Sequence, residues 1–186
     1  MIIQTNIQEI VSTFKRVVHS MSKEDTRYYL CGAFIHIKNN AVYLVSTDGH
    51  QLTEAILKVD SFESVENEKY ILSSDFINKI AKIKPTKRDA SEIILNINHE
   101  GCIFEHPDTI IKGSIIDGNY PDYERCIPEK QEVDIGFSVD YMINLCKAIK
   151  GGGGDLIVLN TSIDGLRPAT CSDNNGTKYV IMPRKL

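Results

Sequence analysis

Apolar residues recur along this chain in two rhythms, and the alternation between them outlines three copies of one unit. Ile7, Ile10, Val11, Phe14, Val17, Val18 and Met21 follow helical spacing. They predict an amphipathic helix from a cap at Asn6 to about Ser22, preceded by a short extended run over 1–4. Over 27–57 two apolar runs meet at Asn39-Asn40, and a polar break follows at Thr47-Asp48-Gly49-His50. Asn, Asp and Gly tolerate positive φ, so this stretch predicts a three-stranded meander, with Tyr28 and Tyr29 at its start.

The pattern then repeats. After a polar connection over 61–68, an extended run over 69–72 leads to a helix capped by Ser73 or Ser74, with Phe76, Ile77, Ile80 and Ile83 on one face and Pro85 as its stop. Strands follow over 92–98, 102–106 and 109–116. A link, DGNYPDYERCIPEK, leads to the third copy: an extended run over 132–137, a helix capped by Ser138 and stopped by Gly151–Gly154, and strands over 156–160, 166–171 and 178–182. The second and third helices share letters as well as rhythm, SSDFINKIAKIK against SVDYMINLCKAIK. The expected fold class is α+β, with three βαβββ units and helices on one face of antiparallel sheets. Units 1–60 and 69–116 with the link 117–128 form one domain, and 131–186 forms half of another.

Composition changes this picture in three ways. With 186 residues the chain can bury a sizeable core. No run of eighteen apolar residues occurs and the N-terminus lacks the form of a signal peptide, so no membrane partner and a cytoplasmic home are expected. Five widely spaced cysteines, at 31, 102, 126, 146 and 171, show no C-x-x-C and no paired His, which predicts buried free thiols and no metal or cofactor. The net charge is −4, but the helical segments 6–27, 74–90 and 138–150 hold eleven Lys and Arg against six acids, leaving −9 for the rest. If the polar faces of the helices point one way, the molecule has a basic side and an acidic side.

At RYYL (27–30), TDGH (47–50), DGNYPDYERCIP (117–128) and YVIMPRKL (179–186) the sequence resembles the bacterial sliding clamp, the β subunit of the replicative polymerase. Residues 1 to about 128 resemble its middle domain and 131–186 the C-terminal half of its last domain. In that family each domain holds two such units, and two three-domain protomers close a twelve-unit ring around duplex DNA. The resemblance implies the DNA-clamp fold, here as one and a half clamp domains, with no enzymatic activity. It also implies sequence-independent DNA contact from Lys15, Arg16, Lys23, Arg27, Tyr28, Tyr29, Lys79, Lys82, Lys87, Arg88, Lys147 and Lys150.

A second implied site is a groove for short peptide motifs of polymerase and clamp loader, typically Gln followed by Leu and Phe. Its matching positions are Leu30, Thr47, Gly49, His50, Leu52, Pro121, Arg125, Cys126, Ile163, Val180, Ile181, Met182, Pro183 and Leu186. Gln51 stands where the family usually has Arg, and Arg184 and Lys185 where Met and Arg are common. Three units per chain suggest four chains per twelve-unit ring, a homotetramer with isologous contacts. Two other readings remain open at this level. Asp48 and His50 are a carboxylate and an imidazole close in sequence, as acid-base catalysis uses, although no nucleophile or phosphate-binding loop accompanies them. Alternatively the chain is a clamp-like peptide-binding adaptor or decoy that never encircles DNA.

Overall fold

The computed structural model describes residues 1–65, 68–86, 89, 91–127, 135–161, 167–172 and 177–184, apart from the side chain of Asp25. They form two compact bodies, Met1–Glu124 and Arg125–Leu186.

The first body opens with β1 (Ile2–Asn6) and α1 (Ile7–Val18). Asn6 caps the helix as expected, its side chain accepting the Glu9 N–H at 2.9 Å. The helix stops at Val18 instead of Ser22 because the Val17 carbonyl is taken from outside the helical ladder, by the Ser20 N–H at 3.2 Å and the Ser46 hydroxyl at 2.7 Å. Met21 is nevertheless buried, so the apolar period outlasts the helix that it announced. A 3-10 helix follows over Asp25–Leu30, where the start of a strand was expected.

The meander is present as β2 (Gly32–Lys38), β3 (Ala41–Thr47) and β4 (Leu52–Leu57). Asn39 and Asn40 adopt φ of 49° and 59°, the left-handed pair that a two-residue hairpin requires. The supposed connection 61–68 contains a strand, β5 (Ser61–Glu63), paired with β1. Three residues are too few for alternation to be read. The second half comprises β6 (Lys69–Ser73), α2 (Ser74–Ala81), β7 (Glu92–Asn98), β8 (Gly101–His106) and β9 (Thr109–Gly113). α2 ends at Ala81, four residues before Pro85, where the Ile83 N–H turns back to the Ile80 carbonyl at 3.0 Å.

The strands are exchanged between the two halves. β1 pairs with β7 and β6 pairs with β2, giving one sheet ordered β5-β1-β7-β8-β9 and another ordered β4-β3-β2-β6. Each leading strand also receives the tail of its own half: β5 lies on β1, and the stretch after β9 joins β6 through Ser73 N–H to the Ser114 carbonyl (3.1 Å) and Ile116 N–H to the Ile71 carbonyl (2.7 Å). The halves are thus interlocked. Both helices pack on the enclosed side, where Phe14 and Phe76 meet edge to face at 6.4 Å, among fully buried Ile3, Ile10, Leu44, Leu72, Leu95 and Phe104.

The second body has α3 (Val139–Gly151) and the antiparallel strands β10 (Val158–Asn160), β11 (Ala169–Ser172) and β12 (Lys178–Ile181). Its core is small: Leu145, Ile149, Ala169, Cys171 and Ile181, flanked by Phe137, Met142, Ile157 and Tyr179. Gly153, at φ 82°, turns the chain out of the helix. The expected strand starts at 132 and 166 lie outside the described residues. Burial of all five cysteines is overturned. Cys102 and Cys171 are buried and Cys31 half-buried, but Cys126 and Cys146 are exposed, on the link and on a face of α3 that none of the described residues covers.

Candidate functional site

The residues expected to form a groove fall into two sets, one on each body. On the first, Thr47-Asp48-Gly49-His50-Gln51 closes into a hydrogen-bonded turn. Thr47 Oγ1 donates to the Gln51 carbonyl (2.8 Å) and accepts the Gly49 N–H (3.1 Å). Asp48 Oδ1 accepts the N–H groups of His50 (2.9 Å) and Gln51 (3.0 Å), and Oδ2 accepts the Gln51 side-chain amide (2.8 Å). These bonds, that from the His50 N–H first, draw the Asp48 carboxyl down to about 2. Asp48 is therefore occupied as the cap of its own turn, an assignment that accounts for it without acid-base chemistry.

Gln51 explains its own departure from the family pattern, since its amide also donates to the His19 carbonyl at 3.0 Å and ties the turn to the end of α1. Gly49 sits at φ 92°, and a Cβ there would lie 2.5 Å from Arg27 Nη1. Arg27 in turn donates to the Asp48 carbonyl at 3.0 Å and to Glu24 at 3.2 Å. The residue expected to face DNA thus also buttresses the turn. His50 and Gly49 are exposed, whereas Leu30 is 4% exposed and belongs to the buried set.

The link is fastened to the outer face of the meander by its aromatics. Tyr120 stacks on Phe34 at 4.8 Å and 5° and donates to the Val45 carbonyl at 3.3 Å. Tyr123 donates to Glu54 Oε1 and bonds His36 Nε2, both at 2.9 Å. Burial lowers the His36 pKa and raises that of Tyr123. Pro121 is held exposed between these two anchors. Sequence alone did not single out Tyr120, Tyr123, Phe34 or His36; alternate apolar or aromatic positions on β2 were the available signal.

On the second body, Tyr179, Val180, Ile181 and Met182 face Tyr141, Asn144, Leu145 and Ala148 of α3 across an open groove of about 470 Å³. Val180 is 67% exposed, Met182 55% and Tyr141 61%, a cluster of large apolar side chains left in water. Tyr141 and Asn144 were absent from the expected set, because their place on the groove depends on how α3 lies against β12. Pro183 is half-buried, while Arg125 and Cys126 are exposed. Ile163 and Leu186 lie outside the described residues, as do Lys87 and Arg88.

Of the expected DNA-facing cations, Lys15, Arg16, Lys23, Lys79 and Lys82 are exposed on the first body, as are Lys147 and Lys150 on the second. Lys15 and Arg16 line one depression of about 640 Å³ with His19 and Lys84, on the surface of α1 next to the end of α2. His19 and Lys84 were not in the expected set. Lys79 is bridged to Asp75 at 2.7 Å, which reduces its claim as a free cation. Tyr28 is 54% exposed and packs edge to face with Tyr29 at 5.7 Å, so Tyr28 is a surface aromatic and does not pack the core. Among the described residues no cluster of His, Cys, Asp or Glu could hold a metal, and no helix is long and apolar enough to cross a membrane.

Residues 4–122 match the family model for the DNA polymerase III beta subunit, central domain. The beta sliding clamp of Rickettsia bellii (strain RML369-C) is 33% identical over 124 residues, which is 65% of this chain and 32% of that protein. That of Chlamydia muridarum (strain MoPn / Nigg) is 25% identical over 145 residues, 76% of this chain and 38% of the relative. The matched stretch is thus about a third of the length of these curated relatives. The sliding clamp structure from Bacillus subtilis superposes over all of this chain and 50% of its own, with a TM-score of 0.82 at 18% identity. DNA polymerase III subunit beta from Borrelia burgdorferi, solved in complex with a natural product, has a TM-score of 0.82 at 19% identity, covering 98% of this chain and 48% of that one.

Proposed function

Since the chain belongs to the DNA polymerase III β subunit family, with its central-domain match spanning most of the first body, we propose that it acts as a sliding clamp in the cytoplasm. In this reading copies of the chain close a ring around duplex DNA and hold short peptide motifs of a polymerase and a clamp loader. The observation that carries it is the basic depression of Lys15, Arg16, His19 and Lys84 on the helical surface. Cations on that surface neutralise phosphates without reading bases, as sliding requires. With three repeats per chain, four chains fill a ring of twelve, at about 84 kDa for a chain of 20.9 kDa. Peptide contact is assigned to two separate surfaces, the turn Thr47–Gln51 with Leu52 and Pro121 on the first body and the Val180–Met182 groove on the second. No step in this function is catalytic.

The test is topological. Protein loaded on nicked circular DNA should be retained at moderate salt and lost when the circle is linearised, because a ring leaves only over an end. A second reading is favoured by one observation: the described lining of the α3–β12 groove comes from the second body alone, a surface on which a peptide could rest without a ring. An adaptor of that kind would bind the peptide and show no difference between circular and linear DNA.

A further inference from the structure

The first body shows how two repeats complete one another. One edge of each leading strand takes the tail of its own repeat, and the other takes the first meander strand of the other repeat. The exchange begins at the same place in both halves: the cap residue Asn6 faces Glu92, where β7 starts, and the cap residue Ser73 faces Gly32, where β2 starts. The helices run antiparallel. Gln8, early in α1, reaches the Thr86 carbonyl beyond the end of α2, and Phe14, late in α1, meets Phe76, early in α2.

The third repeat carries the same parts with the exchange half open. Its own-tail contact is made, Arg184 N–H donating to the Gly136 carbonyl at 2.8 Å. β10 is the edge of its sheet, and among the described residues no strand covers its outer side. Its Val158 and Leu159 are 49% and 41% exposed. On α3, Val139, Ile143 and Cys146 stand one, five and eight residues after the cap Ser138. At those offsets from Asn6, α1 has Ile7, Val11 and Phe14, none more than 2% exposed, whereas Val139 is 72% and Ile143 45% exposed.

We propose that the third repeat is completed by the third repeat of a second copy, through reciprocal strand exchange about a two-fold axis. This deepens the ring reading, on which it rests, by assigning one of the contacts between copies. The segment 135–137 of each copy would add to the outer edge of the other's β10, with Ser138 opposite the start of that strand. Repeats one and two already fill each other, so among the described residues the third repeat is the one that keeps both a strand edge and a helix face open. The chemistry is self-complementary. Neither 135–137 nor β10 carries a charge, and an antiparallel α3 pair brings Asp140, near the start of one helix, toward Lys147 and Lys150, near the end of the other. Pairing also covers a bare strand edge, which otherwise invites open-ended association.

Sedimentation equilibrium of the full chain at micromolar concentration tests the contact. The unmodified chain should be an even-numbered oligomer, and Ile143→Lys should halve its mass, from tetramer to dimer or from dimer to monomer. Asp140→Lys should weaken the same assembly, and adding Lys147→Asp to it should restore it, a rescue that misfolding would not give. A monomer before any substitution, an unchanged mass for Ile143→Lys, or no rescue by the charge swap would each overturn the proposal. An even-numbered oligomer that responds as expected but is not retained on circular DNA would keep this contact and remove the clamp reading instead.

Discussion

Arg27 Nη2 donates to the backbone carbonyl of Asp48 at 3.0 Å, and the same guanidinium fills the space that a side chain on Gly49 would need. The segment proposed to approach DNA and the turn proposed to hold peptide are thus one mechanical piece. Gly49→Ala should destabilise the first body by about 1–3 kcal/mol, from a strained positive φ together with the clash. In an Arg27→Ala background the clash component disappears, so urea denaturation should show the two changes to be non-additive. Additive losses would mean that Arg27 does not constrain the turn.

Phe76 is fully buried against Phe14, and any Cβ on Gly113 would lie 2.4 Å from its ring. Phe76→Ala should therefore cost about 3–5 kcal/mol, and Gly113→Ala about 1–3 kcal/mol by overpacking. Thermal melts of the single variants measure both.

Acid should weaken the link before it weakens the turn. Burial holds the His36 pKa below its ordinary 6.5, against the opposing pull of Glu124 and Glu54, so the unfolded chain takes up this proton first. The contribution is fully present above 6.5 and is lost as pH falls below it. His36→Gln should flatten the fall in stability between about pH 7 and pH 5. Asp48 and Glu68, both near 2, act in a lower window: their stabilisation is present above about pH 4 and is lost as pH falls toward 2. Glu68 reaches that value although desolvation pushes it up, because the N-terminal ammonium, Ser64, the Val65 N–H and Tyr70 all bond to it.

Met182→Ala and Tyr141→Ala remove side chains that are more than half exposed, so each should leave stability within about 0.5 kcal/mol. Each should weaken binding of a labelled peptide carrying Gln, Leu and Phe by tenfold or more, about 1–3 kcal/mol, read by fluorescence anisotropy. Leu30→Ala is a poorer probe, since Leu30 is buried and its loss would cost about 2–5 kcal/mol of stability.

Lys15→Ala with Arg16→Ala should weaken binding to any DNA sequence alike. The slope of log affinity against log salt should become shallower by about 0.9 for each phosphate contact removed. A change that differs between sequences would point to base contacts and against sliding.

The three repeats, the helix starts at Asn6, Ser73 and Ser138 and both meander turns were legible because each rests on local letters: polar residues that precede an apolar helical rhythm, and residues that accept positive φ, although only the Asn6 side chain makes a cap hydrogen bond. The exchange of β1 and β6 between halves was not, since pairing partners such as Ile3 and Leu95 lie far apart and nothing in either strand's own letters selects between them. β5 is too short for its alternation to show in sequence, and the end of α1 is set by Ser46, which lies on another element. In the candidate site, the turn Thr47–Gln51 followed from its letters, whereas Tyr141 depended on how α3 lies against β12.

The exchanged strands also set an order of events at synthesis. The Met1 ammonium donates to the Ile97 carbonyl at 2.9 Å, and β1 finds its meander partner only in β7. One edge of β1 can take β5 once Glu63 is made, but its other edge stays open until Glu92–Asn98 follow. Folding of the first body should be a single late event with high contact order, slow for its size, and dependent on whatever shields β1 and the bare side of β2 in the meantime.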